Sequence, residues 1–154
     1  MSAQLVELLR GEGVEFELLP HRHTTTAASE ARVLGVVEQT VAKTLIARDD
    51  EGRCVRAVVP ASRRLDLAKL ARAVTAKTVM LLSETELLSA YPQFELGAVP
   101  PFGGPAGDRV VLDRQLAECD QVVLEAGVHD TSLWLRTEDL ITVADAQLAD
   151  IATS

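Results

Sequence analysis

The fold is decided by two apolar runs near the middle of the sequence, Val41–Ala47 (VAKTLIA) and Cys54–Val59 (CVRAVV). Between them, Asp49–Gly52 (DDEG) combines acidic residues with a glycine, which is typical of a tight turn. Two short runs rich in valine and alanine, joined by such a turn, predict a β-hairpin. Because both runs are almost continuously apolar, we expect the hairpin to lie inside a buried sheet.

Before the hairpin, the sequence predicts two helices and a strand. The first helix runs from Ala3 to about Gly11, and a strand over Val14–Leu18 is ended by Pro20. The second helix passes through Ala28, Ala31 and Leu34, with Thr25 or Thr26 as its cap and Gly35 at its end.

After the hairpin, helices and strands continue without strict alternation. Asp66 or Leu65 opens a helix, Ser83 and Glu86 form a capping box at the start of another, and Thr137 caps the last helix. Strands are predicted over Arg109–Asp113, Val122–Glu125 and Ser132–Leu135. This mixture predicts an α+β fold with a mixed sheet rather than a doubly wound fold.

Length and composition favour a single folded domain, which we expect to span residues 1–154. Hydrophobic residues make up 47% of the chain, too many for a disordered protein. The two cysteines, Cys54 and Cys119, form no CxxC pair and are typical of a reducing compartment. No signal-peptide pattern is evident, and no apolar run approaches the ~18 residues of a membrane span. We therefore expect a cytoplasmic protein with no membrane partner.

Charge is unevenly spread along the chain. The formal net charge is −8, which argues against generic nucleic-acid binding and against DNA as a partner. Residues 53–77 differ, because their only acid is Asp66 and their bases are Arg53, Arg56, Arg63, Arg64, Lys69, Arg72 and Lys77. This stretch could meet phosphates or form the solvated face of a helix, and the composition leaves both interpretations open.

Lys43 is a charge inside an apolar strand. Since side chains alternate along a strand, Lys43 shares a face with Val41 and Leu45, and its ammonium must leave an apolar surface. Burying an ammonium costs free energy unless it reaches a partner or a cleft. We therefore expect Lys43 to mark the working cleft. The alternative is an edge-strand lysine that faces water.

Residues 92–108 are the least regular part of the chain, with four of the six prolines and four of the nine glycines. An irregular stretch of this length in a compact domain is typical of a functional loop. In Gly97–Pro105 (GAVPPFGGP), glycines allow close approach to a ligand and prolines stiffen the loop. Backbone N–H groups held in this way can bind a carbonyl or an oxyanion. A tight surface loop would have the same composition.

Histidines lie in two further segments. His129 follows Gly127 at the end of an apolar strand, where it can line a pocket, although a lone loop histidine is often a bystander. His21 and His23 lie two residues apart, on one face of an extended segment. A metal site needs more ligands than these, and no HExxH, CxxC or carboxylate cluster supplies them. We therefore expect neither a metal nor another cofactor.

Taken in chain order, these motifs resemble the YbaK/prolyl-tRNA-synthetase-associated domain family. The resemblance covers roughly residues 15–145 and includes a GxxxP spacing at Gly97–Pro101. The matching segments are His21, Thr26-Ala27, Ala31, Leu34-Gly35, Lys43-Thr44-Leu45, Val58-Val59-Pro60, Arg64-Leu65-Asp66-Leu67, Gly97–Pro101, Phe102-Gly103 and Ala126-Gly127. The resemblance implies an α+β domain whose central mixed, partly barrel-like sheet is flanked by helices.

The family resemblance also implies an activity. It implies a metal-independent trans-editing deacylase that hydrolyses the ester of a mischarged tRNA, with a cysteine, alanine or proline type of substrate on a non-cognate tRNA. The implied partner is the acceptor end of the mischarged aminoacyl-tRNA, and the family allows an aminoacyl-tRNA synthetase as a further partner.

Individual residue roles follow from the same resemblance. Lys43 matches a lysine that engages the phosphate or terminal adenosine of the tRNA end, and Gly97 matches a glycine whose backbone holds the substrate carbonyl. We expect these two to be the catalytic residues. The expected substrate-binding residues are His21, Thr26, Ala98, Val99, Pro101, Phe102, Gly127 and His129.

The implied deacylation does not need a Ser-His-Asp signature. A tRNA ester is already activated, so positioned water or a ribose hydroxyl with backbone dipoles can suffice.

Two other functions stay open at the level of sequence. The acidic balance also fits a catalytically inactive module that binds the tRNA end or a synthetase. A third reading is a small-molecule hydrolase or binding protein that uses the same pocket.

Overall fold

The computed structural model describes residues 3–21, 27–103 and 108–153, and its secondary structure alternates irregularly between helices and strands. The first half of the chain contains α1 (Ala3–Gly11), β1 (Phe16–Pro20), α2 (Ala27–Leu34), a 3-10 turn (Glu38–Thr40), β2 (Ala42–Asp49), β3 (Cys54–Pro60) and α3 (Leu67–Ala73). The second half contains β4 (Val79–Leu81), α4 (Glu84–Ala90), β5 (Arg109–Asp113), α5 (Arg114–Ala117), β6 (Gln121–Val128), β7 (Thr131–Arg136), α6 (Thr137–Ala144) and β8 (Gln147–Ala149).

The predicted hairpin is formed by β2 and β3, with Lys43 opposite Val59 and Ile46 opposite Arg56. It lies in a five-stranded sheet of order β4-β2-β3-β5-β8. β4 pairs antiparallel with the end of β2, whereas β5 pairs parallel with β3 and β8 pairs parallel with β5. The predicted α+β fold with a mixed sheet is confirmed.

A second sheet has three antiparallel strands in the order β1-β7-β6. Among the described residues, one isolated parallel bridge, between Val41 and Val123, joins this sheet to the start of β2. The strands of the two sheets therefore meet without closing into a barrel.

The main core is shared by the two sheets and is covered by α1, α5 and α6. It includes Leu9, Leu116 and Leu140 from the helices and Val58 and Leu124 from the strands, all at most 1% exposed. Burial of one such side chain contributes about 1.5–3 kcal/mol to folding, so this core supplies much of the stability.

The two faces of the β2–β3 hairpin pack into different hydrophobic cores. Residues directly opposite each other in an antiparallel pair lie on the same face. Leu45 and Val59 belong to a second core against α3, so Lys43, opposite Val59, emerges on that face. Thr44 lies opposite Val58 and therefore emerges on the face of the main core.

Helix starts follow the predicted chemistry in two places. Asp66 caps α3, since its carboxylate accepts hydrogen bonds from the N–H groups of Ala68 and Lys69. Ser83 and Glu86 form the predicted capping box at the start of α4. Both arrangements satisfy donors that lack partners within the helix.

The described helices are short. The longest, α1, has nine residues, whereas a membrane span needs about 20. In the ranges that the structure describes, no helix is long and apolar enough to cross a bilayer.

Two details of the sequence prediction were wrong, and three short elements were missed. β1 runs over Phe16–Pro20 rather than Val14–Leu18; it ends at Pro20, which is tolerated because β1 is an edge strand where proline's missing N–H removes no ladder bond. Thr137 does not cap α6: Arg136 occupies the cap position, and the buried Thr137 hydroxyl has no hydrogen-bond partner. The short elements β4, α5 and β8 were not predicted.

The buried carboxylate of Asp113 ties the C-terminal segment to the sheet. Its Oδ1 accepts hydrogen bonds from the N–H groups of Ile151 at 2.9 Å and Ala152 at 3.0 Å. Its Oδ2 accepts from the N–H of Gln115 at 3.1 Å, which caps α5. At 1% exposure, no water can replace this carboxylate without a rearrangement.

We expect Asp113→Ala to lower the free energy of unfolding by about 3 kcal/mol or more, because it strands buried N–H groups. Urea denaturation of the variant and the wild-type protein measures this difference. Asp150→Ala is the matched control, since Asp150 is a mostly exposed partner of Lys69 in the same part of the chain and surface ion pairs contribute little. Equal losses in the two variants would contradict this account of Asp113.

Candidate active site

A gap opens between β2 and β6 just beyond the Val41–Val123 bridge. β2 next pairs on this edge at Ala47, with β4. Between these points Ile46 accepts a hydrogen bond from the N–H of Leu82 at 3.0 Å. Backbone groups alternate in direction along a strand, so the N–H and C=O of Thr44 point to the same side as those of Ile46, into the gap. The backbone of Thr44 therefore presents an open strand edge.

The loop after α4 closes the far end of this gap. The N–H of Glu95 donates to the carbonyl of Gly127 at 2.9 Å, and the N–H of Gly127 donates to the carbonyl of Ala98 at 3.0 Å. Gly97 lies between these two anchor points with φ +80°, a conformation that favours glycine. It is exposed, whereas the residues that follow it, Ala98 and Val99, are buried. The loop thus presents the Gly97 backbone at the gap.

His129 lies against this loop. Its Nε2 makes a hydrogen bond with the carbonyl oxygen of Leu96, and its backbone N–H donates to Glu95 Oε2 at 3.2 Å. A Cβ atom added to Gly97 would lie 3.4 Å from His129 Cε1. The structure therefore brings together Gly97, Ala98, Gly127 and His129, four of the predicted site residues.

A small cavity of about 110 Å³ lies where the open edge of β2 faces the loop. Its walls are Thr44, Leu45, Ile46, Leu81, Leu82, Leu87, Gly97 and Val99. Two wider clefts, of about 490 and 660 Å³, share Cys119 and include none of the predicted site residues. The small cavity is therefore the one that the loop and the strand edge define together.

Lys43 lies on the same strand, directly before the cavity residues Thr44 and Leu45. It is half-buried and does not belong to the cavity lining, where its neighbour Thr44 lies. Burial, together with the charge of Arg64, lowers the pKa of the Lys43 ammonium below its usual value. The structure thus places Lys43 near a second cation, Arg64.

The other predicted residues fall in several places. Val99 is buried in a cluster with Ile46 and Phe94, and Pro101 is also buried. Phe102, 5% exposed, belongs to the main core rather than to the cavity lining. Gly127 packs so closely on Phe94 that an added Cβ would lie 2.9 Å from the ring. Thr26 lies outside the described residues.

His21 belongs to a separate polar cluster beneath α2. Its Nε2 makes a 2.8 Å hydrogen bond with the Ser132 hydroxyl, which donates to Glu30 Oε1 at 2.6 Å. Glu125 lies directly opposite Ser132 in the β6–β7 pair, so it shares this face of the sheet. Sequence reasoning missed Glu30, Ser132 and Glu125. Glu125 carried a signal, because it is an acid in an otherwise apolar strand.

The structure narrows the two interpretations of the basic stretch 53–77. Arg56 is only 2% exposed, so it cannot meet a phosphate. Arg53 pairs with Asp49 and Glu51, and Lys69 pairs with Asp150. Arg64 is exposed next to Lys43 and remains available from this stretch as a phosphate contact.

The carboxyl group of Glu125 has an unusual environment. Burial, and then the nearby charges of Glu30 and Glu95, raises the pKa of Glu125 to about 8. Its Oε2 is buried and has no hydrogen-bond partner. Glu125 and Lys43 both lie two residues beyond the Val41–Val123 bridge, so they project on the same face from the two strands that border the gap.

We expect the stability cost of Glu125 to appear as a pH dependence. Because its pKa is raised from 4.5 to about 8 in the folded state, the folded protein keeps a proton that the unfolded chain releases between these pH values. The free energy of unfolding therefore falls as the pH rises through this window. Glu125→Gln removes this contribution, so its stability relative to wild type should improve from pH 5 to pH 8.5.

Urea denaturation at both ends of the window measures this effect. Glu17→Gln is the control, since it removes a carboxyl from the exposed edge strand β1. A Glu125→Gln difference that stays constant with pH, as expected for the control, would refute the proposed environment of Glu125.

Metal ligation is not supported by the placement of potential ligands. In residues 3–21, 27–103 and 108–153, no three His, Cys, Asp or Glu side chains are grouped so that they could hold a metal ion.

The aminoacyl-tRNA editing domain family matches residues 21–143, and the chain belongs to this family. The family resemblance read from the sequence motifs is thereby confirmed.

Individual relatives agree with the family assignment. The chain is 26% identical to the multifunctional Ser/Thr-tRNA deacylase ProXp-y of Escherichia coli over 151 residues, which cover 96% of this chain and 90% of that protein. It is 27% identical over 152 residues to EbsC of Enterococcus faecalis, provisionally named a Cys-tRNA(Pro)/Cys-tRNA(Cys) deacylase, with 99% and 92% coverage. The crystal structure of a hypothetical protein superimposes with a TM-score of 0.88 at 27% identity, covering 97% of this chain and 99% of that one.

Proposed function

We propose that this protein is a trans-editing aminoacyl-tRNA deacylase, which hydrolyses the ester between an amino acid and the terminal ribose of a mischarged tRNA. The observation that carries this proposal is the exposed Gly97 backbone, held between two hydrogen bonds to β6 and packed against His129. Family membership and the names of the relatives support the same reaction.

In this proposal the Gly97 loop positions the ester. The Gly97 backbone N–H donates to the ester carbonyl oxygen and stabilises the negative charge that develops there when water or a ribose hydroxyl attacks. Ester hydrolysis needs no strong protein nucleophile, because the leaving ribose oxygen is already activated and correct placement supplies much of the rate. His129 maintains the shape of the loop through its contact with Leu96 and lines the site.

Lys43 and Arg64 form the proposed anchor for phosphates of the acceptor end. Burial and mutual repulsion disfavour the charge on Lys43 in the free protein. A phosphate beside the pair would offset both effects, since an opposite charge favours the ammonium. Lys43 is the neighbour of Thr44 and Leu45, which line the cavity, so a bound tRNA end could reach both the anchor and the cavity.

The proposed substrates carry small side chains. The cavity beside Gly97 holds only about 110 Å³ and its walls are mostly leucine and valine. The relatives are named for serine, threonine and cysteine esters, all of which are small. Serine, threonine, cysteine, alanine and proline esters are therefore the candidates for this chain.

A deacylation assay on a panel of tRNAs tests the proposal. Each tRNA carries one of these five amino acids on a non-cognate acceptor, and the loss of ester is followed with time. We expect accelerated hydrolysis of at least one ester. Binding to tRNA or to a synthetase with unchanged ester lifetimes would instead identify an inactive binding module of the same fold. No acceleration on any tRNA would exclude the deacylase.

We expect Lys43→Ala to raise KM for the charged tRNA about tenfold or more, since a hydrogen bond to a charged group contributes roughly 1.5–3 kcal/mol. Lys77→Ala is the matched control, because Lys77 is an exposed lysine on a loop outside the candidate site. Lys43→Arg, which retains the charge, should recover part of the affinity. Equal KM values for the two alanine variants would contradict the anchor.

We expect Gly97→Ala to reduce kcat strongly while the protein stays folded. An added Cβ strains the backbone at φ +80° and fills the space beside the His129 ring, 3.4 Å from Cε1, where the ester is proposed to bind. Gly52→Ala is the matched control: Gly52 has φ +83° in the hairpin turn and nothing within 4 Å of an added Cβ. Both variants carry similar backbone strain. Thermal melting and kcat are measured on both variants, which distinguishes backbone strain from an effect on catalysis. Equal kcat values for the two variants would refute the role of Gly97.

A further inference from the structure

Arg56 is the largest of the fully buried side chains, with 2% exposure. It lies in the middle of β3, opposite Ile46, on the face that carries the loop after α4. Burying a guanidinium is costly unless its donors are satisfied and its charge is balanced. The partners of Arg56 therefore indicate what this charge contributes to the fold.

All three guanidinium nitrogens of Arg56 bond to the segment around the Gly97 loop. Nη1 donates to the carbonyl of Pro100 at 2.8 Å, and Nη2 donates to the carbonyl of Gly103 at 2.6 Å. Nε donates to Asp108 Oδ2 at 3.2 Å. Tyr91 completes the group: its ring centroid lies 5.0 Å from the guanidinium carbon and its hydroxyl donates to the same Asp108 oxygen.

These contacts complement the anchors on β6. Gly97 has no side chain to hold it, and the loop is fixed on one side by the hydrogen bonds of Glu95 and Ala98 to Gly127. On the other side, three residues beyond Gly97, Pro100 is fixed to β3 through Arg56. The exposed backbone at Gly97 is therefore suspended between the two sheets, and Arg56 is the side chain that ties it to the larger one.

We infer that Arg56 is a positioning residue for deacylation: it fixes the Pro100 and Gly103 carbonyls on β3 and so holds the Gly97 backbone where the ester carbonyl must bind. The inference rests on the proposed deacylase function. Arg56 is too deeply buried to touch the substrate, so its effect passes through the loop. Lysine cannot replace it fully, because a single ammonium lacks the planar set of donors that reaches two carbonyls and a carboxylate.

Arg56→Lys tests this inference by separating kcat from KM. We expect kcat to fall roughly 10- to 100-fold, since small displacements of positioned groups have effects of this size. KM should stay within about twofold of wild type, because tRNA affinity is assigned to Lys43 and Arg64 and the loop contributes to the reacting geometry. Arg109→Lys is the matched control: Arg109 also donates to a backbone carbonyl, that of Val74 at 3.0 Å, but outside the site.

A second measurement does not depend on activity. Amide hydrogen exchange in residues 95–103 should become at least about tenfold faster in Arg56→Lys, and it should stay unchanged in Arg109→Lys. Tyr91→Phe, which removes only the hydroxyl that bonds to Asp108, should move kcat and exchange in the same direction by less. This milder variant also decides the question if Arg56→Lys fails to fold.

The outcomes distinguish the inference from the function on which it rests. A folded Arg56→Lys with wild-type kcat, or with unchanged exchange in residues 95–103, would overturn the inference. Equal losses in kcat and tRNA affinity would also overturn it, because they indicate a general structural defect. If the wild-type protein deacylates no tRNA, the proposed function fails, whereas the exchange measurement still decides whether Arg56 holds the loop.

Discussion

The backbone bridge between Val41 and Val123 sets the geometry of the candidate site. In the part of the chain that the structure describes, it is the one isolated bridge between the two sheets, and β2 next bonds on that side at the Ile46 carbonyl and at Ala47. An unpaired strand edge inside a compact domain leaves backbone donors and acceptors without partners. The loop that carries Gly97 lies over this edge and bonds to β6 on its other side. The site is therefore the place where the sheets approach each other but do not close.

Two ionisable side chains on the strands that border the gap, Lys43 and Glu125, lie in environments that disfavour their charged forms. Lys43 is half-buried and lies near Arg64, and both burial and repulsion oppose its charge. On the opposite strand Glu125 is buried near two other carboxylates, which favours its neutral form. The environment of each group shifts its pKa toward the neutral form. Such shifts are frequent at functional sites. For Lys43, the proposed phosphate contact would offset both effects, since an opposite charge favours the ammonium.

The sequence predicted those elements whose signals are local. The β2–β3 hairpin has continuous apolar runs around a turn, and Ser83 with Glu86 has the spacing of a capping box, so both were found. The three-residue strand β4 carries no periodicity, and its pairing with β2 is a tertiary contact. Arg56 was read as one base in a basic stretch because composition does not indicate depth. Arg56 is buried because it lies opposite Ile46, on the face of β3 that the loop after α4 covers.

Two glycines near the site show why residue type alone does not identify a functional position. Both have positive φ, so both conformations favour glycine. At Gly127 an added Cβ would lie 2.9 Å from the Phe94 ring, and this glycine is required by packing. At Gly97 the nearest atom would be 3.4 Å away, on the His129 ring, and the residue is exposed. Core packing explains the first glycine and leaves the second unexplained. An exposed glycine held between two sheets by hydrogen bonds and a buried arginine is better explained by the need for an accessible backbone at a fixed position.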